Sequence, residues 1–173
     1  MIDLDGSGGG GQLVRSALAA AALTGRAFHM EGIRDSRAPP GLRPQHLAAV
    51  RALATITDAE VEGATGGSEA LAFDPGEPTP GTYEVDVGTA GSVSLLFDAV
   101  LPLACALDAP LSLSAVGGTD VAWSPPLDYL RHVKLPLLRR FGLVAAVDLD
   151  RRGFYPVGGG RATLHLAPAS PSP

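Results

Sequence analysis

Apolar and polar residues alternate in IDLD at the head of the chain, the period of a half-buried strand. Glycines follow at 6 and 8–11, and QLVRSALAAAALT then runs on helical spacing to Gly25, a residue suited to a helix C-terminus. RAFHMEGI alternates again. A loop with two adjacent prolines, RDSRAPPGLRP, leads into QHLAAVRALATI, a second helix. AEVEGA, EALAFDP and TYEVDVG read as short strands between Gly/Pro turns. The order then returns. VGTAGSVSLLFDAVLPLACAL is a glycine turn and a helix, PLSLSAV a strand, GGTDVAWSPP a two-proline loop. LDYLRHVKLPLLRRFG is a helix with an internal Pro136, and LVAAVDLD, GFYPVGGG and ATLHLAP close the unit as strands and turns. The two halves are offset by roughly 85 residues, with His46 and His132 in comparable places.

The pattern predicts an α+β fold of tandem β-α-β-α-β-β repeats, each a four-stranded sheet covered by two helices. The units are expected at 1–86 and 87–167. The closing residues, 168–173, form a Pro/Ser tail expected to be disordered.

Composition narrows the class. Of 173 residues 46% are hydrophobic and 18% charged, enough apolar material for a core. A net charge of -5 argues against indiscriminate nucleic-acid binding but leaves room for a local basic patch. The single cysteine, Cys105, excludes an intrachain disulfide and a cysteine zinc cluster, and its mid-helix position predicts burial in the core. Strand residues begin right after Met1, without the pattern of a signal peptide. The longest apolar stretch is interrupted by Asp98, Pro102 and Asp108, so no membrane span is expected. A cytoplasmic location follows as the expectation.

Candidate chemistry gathers in two places. GSGGGG satisfies G-x-G-x-x-G at Gly6, Gly8 and Gly11, with Glu31 about 20 residues on, as a dinucleotide fingerprint would have it. Against that reading, Asp3 and Asp5 interrupt a strand that a buried parallel sheet would keep apolar. A plain flexible turn is a second reading. A third is an anion site, where bare N–H groups at a helix start receive phosphate. Gln12 and Arg15 stand on the first turns of that helix. The second place is IRDSRAPPGLRPQHLAAVR, where Arg34, Arg37, Arg43, His46 and Arg51 are opposed only by Asp35. Guanidinium forks match phosphate oxygens, and Gln45 and His46 open a helix whose N-terminus favours an anion. A solvated basic face is the plainer alternative. With Arg15 and the glycine loop in an acidic chain, a phosphate or polynucleotide-end site is favoured. His29 and His165 sit in alternating strands, and no His/Asp/Glu spacing resembles a metal cage. Trp123 and Tyr155 could equally stack on a base or serve packing and turns.

Taken together, LDGS…GGGGQLVRSAL, IRDSRAPPGLRPQHLAAV, GTAGSVSLLF, GGTDVAWSPPLDYL and RGFYPVGGG resemble the RNA 3'-terminal phosphate cyclase family in order and spacing, up to Leu166. The resemblance implies an ATP-dependent reaction of the ligase class. A histidine attacks ATP and is adenylylated, AMP passes to an RNA 3'-phosphate, and the neighbouring 2'-hydroxyl closes a cyclic phosphate and releases AMP. ATP and magnesium, or another divalent metal, are the implied cofactors, and RNA with a 3'-phosphate end is the implied partner. Arg15, Arg34, Arg37, Gln45 and His46 would serve the phosphate-rich site, with Gln12 placed by the loop and Arg43 in the same patch. Pro126 stands where the family packs a proline on adenine. Asp98 stands where the family has a nucleotide-binding glutamine, and an acid there would repel ATP phosphates unless protonated or metal-bridged.

The departures are as specific. The glycine loop is shorter than the family's and lacks its metal-binding glutamate. Family enzymes are much longer, and their third repeat carries the nucleophilic histidine. None of His29, His46, His132 or His165 stands at that position, so no catalytic residue and no metal ligand is assigned in this chain. The expectation is a chain covering the first two repeats, inactive alone, and needing a complementing polypeptide or a second copy. A non-catalytic cyclase-like protein that binds RNA or a ribosome-assembly partner is the alternative. An enolpyruvyl transferase, built from similar units, fits the PGLRPQHL and GFYP blocks less well.

Overall fold

A computed structural model describes residues 1–170. Strand β1 (Ile2–Asp5) pairs in parallel with β2 (Phe28–Glu31) through helix α1 (Gly11–Thr24). Helix α2 (Pro44–Thr57) leads to β3 (Glu60–Glu62) and β4 (Leu71–Asp74), both antiparallel, in the sheet order β1-β2-β4-β3. The second sheet repeats this order as β5-β6-β8-β7. Its strands are β5 (Gly81–Asp86), β6 (Leu111–Gly117), β7 (Ala145–Arg151) and β8 (Gly160–Leu166). Helix α3 (Val93–Val100) continues into a 3-10 turn, Leu101–Cys105. Helices α4 (Leu127–Tyr129) and α5 (Leu135–Arg139) are joined by a π-helical turn, Leu130–Lys134. The expected α+β architecture is therefore present twice.

The boundary between the units differs from the expected break after residue 86. TYEVDV opens the second sheet, pairing with β6 from Gly81↔Leu111 to Asp86↔Val116. Pro75, Pro78 and Pro80 form the linker, because proline cannot continue a strand ladder. GFYPVGGG is the turn that leads into β8 at Gly160, with Gly158 N–H donating to Phe154 C=O at 2.7 Å. Of the tail expected to be disordered, Ala169 packs on the core and its N–H donates to Ala104 C=O at 2.7 Å; residues 171–173 lie outside the described residues.

The strand period explains the layering. Phe28, Met30, Leu71 and Phe73 face inward, and the Phe28 and Phe73 rings stack with centroids 6.0 Å apart. Asp3, His29 and Ala72 alternate with them on the outer face. Alanines on α1 and α2 let the helices approach closely, and α2 also packs on α3 and β5. Buried side chains form one cluster from Val14 to Leu166. Pro136 is tolerated because Leu135 N–H already reaches back five residues to Leu130 C=O, widening the turn before the ring. His132 falls in that π-turn and is exposed, so it does not match His46 in environment. Cys105 ends the 3-10 turn and is exposed, contrary to the core position expected of a continuous helix. Among the described residues no helix is long and apolar enough to cross a membrane.

Candidate functional site

The glycine loop and the arginine loop meet at His46. The residue is 2% exposed, and its ring lies over Gly11, where an added Cβ would overlap the imidazole. Arg43, the N-cap of α2, donates its backbone N–H to His46 Nδ1 at 3.0 Å. Nδ1 is thus an acceptor, so the neutral ring carries its proton on Nε2, the atom that lies over Gly11 at the start of α1 and 3.5 Å from the Gln45 side-chain amide. Burial, and then the charges of Arg15, Arg34 and Arg43, push the His46 pKa down to about 4. The imidazole is neutral at pH 7, and three guanidinium groups are close enough to act on it.

The glycine loop is tied down by carboxylates. Asp5 Oδ1 accepts from Ser7 N–H at 2.8 Å, and Asp35 Oδ1 accepts from Gly8 N–H at 3.0 Å. Hydrogen bonds from the Ser7 side chain and backbone hold the Asp5 carboxyl below its ordinary value. The N–H groups of Ser7 and Gly8 are thus held by carboxylates, and those of Gly6 and Gly9 by the carbonyls of Glu31 and Gly6. The N–H groups of Gly11 and Gln12, which open α1, have no acceptor among the described residues. This is where an anion is best received.

The sequence-predicted cations divide by role. Arg34 is half-buried at φ 56°, and its Nη1 donates to the carbonyls of Pro39 (3.1 Å) and Gly41 (2.8 Å). It braces the loop as well as charging it. Burial, Arg43 and Arg37 lower its pKa. Arg37 and Arg43 are exposed. Arg15 is half-buried; burial lowers its pKa and Asp98 raises it.

Asp98 has a basic partner. Its Oδ1 lies 2.8 Å from Lys134 Nζ, with side chains 28% and 33% exposed, and it also acts on Arg15. The carboxylate thus has Lys134 as its ion-pair partner. Gln12, Arg15, Asp98 and Lys134 line a cavity of about 500 Å³ between α1 and α3. Lys134 was not signalled by the sequence, since nothing at 36 residues' remove marks it as the partner of Asp98. Pro126 is exposed as the N-cap of α4 and lines neither this cavity nor the next. A second cavity of about 550 Å³ begins at Gln45 and runs between the loops bearing Ser92, Trp123 and Tyr155.

A third cluster has the residue types of a catalytic triad. Ser112 Oγ lies 2.8 Å from His165 Nδ1, and His165 Nε2 lies 3.2 Å from Asp148 Oδ2. All three stand on the solvent face of the second sheet, and Ser112 and His165 are direct cross-strand neighbours. The three form a polar ladder across the strands of the sheet surface. Among the described residues no three His, Cys, Asp or Glu side chains converge as a metal site.

Residues 7–173 match the family model described as RNA 3'-terminal phosphate cyclase. The RNA 3'-terminal phosphate cyclase of Halobacterium salinarum (strain ATCC 29341 / DSM 671 / R1) is 55% identical over 98% of this chain and 53% of that protein. That of Pyrobaculum aerophilum is 46% identical over 96% of this chain and 49% of that protein. The chain spans about half the length of the curated relatives it matches. Among solved structures, the enolpyruvyl transferase NikO from Streptomyces tendae is similar at 17% identity over 94% of this chain and 31% of that chain. Its TM-score of 0.45 is too low to carry an argument.

Proposed function

Because the chain belongs to the RNA 3'-terminal phosphate cyclase family, we propose that it forms the half of such an enzyme that holds the phosphates of an RNA 3' end. The observation that carries this reading is the seat of His46 on Gly11. It brings the open N-terminus of α1 against a cluster of Arg15, Arg34 and Arg43 whose charges converge on one neutral ring. A 3'-phosphate placed there receives the Gly11 and Gln12 N–H groups, His46 Nε2–H and the exposed Arg37 and Arg43 guanidiniums.

His46 is a donor in this arrangement and not a nucleophile. Nucleophilic attack needs an unprotonated nitrogen facing the substrate, and the free lone pair of His46 is spent on Arg43 N–H. We therefore read the isolated chain as unable to take up AMP, and place the adenylylated histidine in a complementing polypeptide or segment. ATP and a divalent metal enter with that part. This chain alone offers no convergent set of metal ligands among its described residues, and none of its own steps is routed through a metal. The cytoplasm, where RNA and ATP meet, is the proposed site of action.

The test is binding of an oligoribonucleotide with a 3'-phosphate against the same oligonucleotide with a 3'-hydroxyl. The phosphorylated form is expected to bind at least about tenfold more tightly, and Arg37→Ala with Arg43→Ala to remove most of that margin. Equal affinity for the two ends would sink the proposal. Intact-mass measurement with ATP and magnesium tests the second half: an AMP adduct on this chain alone would refute it.

A further inference from the structure

We propose that the cleft between Trp123 and Tyr155 seats a nucleobase of the RNA whose terminal phosphate the arginine cluster binds, an inference that rests on the reading above.

Both aromatics are presented to solvent. Trp123 is fully exposed and Tyr155 is 80% exposed, with the apolar Phe154 and Val157 exposed beside Tyr155. Trp123 also has φ 65°, a backbone region that bulky side chains rarely adopt. Such geometry persists only where surrounding structure imposes it, and it is concentrated at ligand sites.

The imposing structure is visible. Three loops interlock backbone on backbone: Gly118 lies so close to Ala90, and Gly158 so close to Thr89 and Ala90, that neither position admits a Cβ. Thr119 N–H donates to Gly153 C=O at 2.9 Å, and Gly153 N–H donates to Thr119 Oγ1 at 2.9 Å. Ser94 Oγ donates to Pro125 C=O at 2.6 Å, fixing the far end of the Trp123 loop. The two aromatic residues thus line one cavity from loops held on a rigid frame.

The chemistry of the cavity fits a base. Two flat π faces offer sequence-tolerant stacking. Ser92, Ser124 and Gln45 line the same space and can meet the polar edge of a base. Gln45 adjoins His46, so the cleft opens directly from the phosphate cluster. The acids of this loop region are neutralised: Arg152 binds Asp120 at 3.1 Å and Asp128 at 2.8 Å. A polyanion can therefore approach without facing bare carboxylates.

The chain has one tryptophan, so its fluorescence reports on this position alone. A single-stranded oligoribonucleotide with a 3'-phosphate is titrated against the chain, alongside the same oligonucleotide with abasic riboses at its last positions. The intact form should quench the fluorescence and bind about 5- to 150-fold more tightly than the abasic form. Tyr155→Ala should lose part of that margin while leaving abasic binding unchanged, and Tyr155→Phe should keep it. Trp123→Ala, followed with a labelled oligonucleotide, should behave like Tyr155→Ala. Equal affinity of the intact and abasic forms, with both still sensitive to Arg43→Ala, would overturn the base site and leave the phosphate reading standing. Failure of either form to bind would overturn both.

Discussion

The buried neutral His46 makes the stability of the whole chain depend on pH in a way that can be worked out in advance. Unfolded, the imidazole has its ordinary value of 6.5; folded, burial and then Arg15, Arg34 and Arg43 bring it to about 4. Above pH 6.5 neither state binds the proton, and the folded state keeps its full stability. Between 6.5 and 4 the unfolded chain takes up a proton that the folded chain refuses, so stability falls. Below 4 both states bind it and the loss is complete. The separation corresponds to roughly 3 kcal/mol in total, of which roughly 2.5 kcal/mol is gone by pH 4.5. Asp5 and Asp128, both held below their ordinary value of 3.8, lose their contributions only as the pH falls through their lowered folded values. The window from pH 7 to 4.5 therefore belongs largely to the histidine. His46→Asn keeps an acceptor near the place of Nδ1 but cannot titrate. Urea unfolding followed by far-UV circular dichroism at pH 7 and 4.5 gives the comparison. Wild type should lose about 2–3 kcal/mol more than His46→Asn across the window. Parallel losses, within about 0.5 kcal/mol, would show that the ring is not held neutral and that the three arginines do not converge on it.

Gly11→Ala should behave unlike an ordinary glycine-to-alanine change in a helix. The methyl overlaps the His46 ring, so a loss of about 1–3 kcal/mol is expected, seen as a lower melting temperature; a stabilised variant would contradict the seat. Phe73→Ala removes a fully buried ring stacked on Phe28 and should cost about 3–5 kcal/mol in urea unfolding, against under about 1 kcal/mol for truncation of exposed Val144. Lys134→Met and Asp98→Asn, taken through a double-mutant cycle, should couple by about 0.5–1 kcal/mol at low salt, the half-exposed setting keeping the value small. Arg34→Ala should destabilise the 34–41 loop as well as weaken phosphate binding, separating it from Arg37→Ala, which should affect binding alone.

The order of elements was legible because each carries its own period and punctuation: IDLD and FHME alternate, and Gly25 closes α1 as a left-handed cap. The boundary was misplaced because TYEVDV reads equally well as the last strand of one unit or the first of the next. Only its pairing with β6 decides, although PGEPTP marked the linker in plain sight. The cationic residues of the site were readable as a cluster because they are close in sequence. The Asp98–Lys134 pair was not, because a contact between α3 and the π-turn depends on how two helices cross. Nor could the sequence separate Arg34, turned onto carbonyls, from Arg37, turned to solvent. Cys105 was placed inside because a helix was extended through Pro102, where the chain instead tightens into a 3-10 turn and turns its last residue outward.

Helix α2 has a consequence for how the molecule comes apart. It crosses the seam: its first turn holds Arg43 and His46, its flank lies on α3 and β5, and Arg51 Nη2 donates to Asp86 C=O at 3.1 Å. Two units of the same design would ordinarily melt as two beads on a string. Here the first bead has lent its second helix to the other, so neither can be cut free at the Pro75–Pro80 linker without baring a wall of alanine and leucine. The turn that carries Arg43 and His46 and the flank that seals the joint between the beads thus belong to one continuous helix.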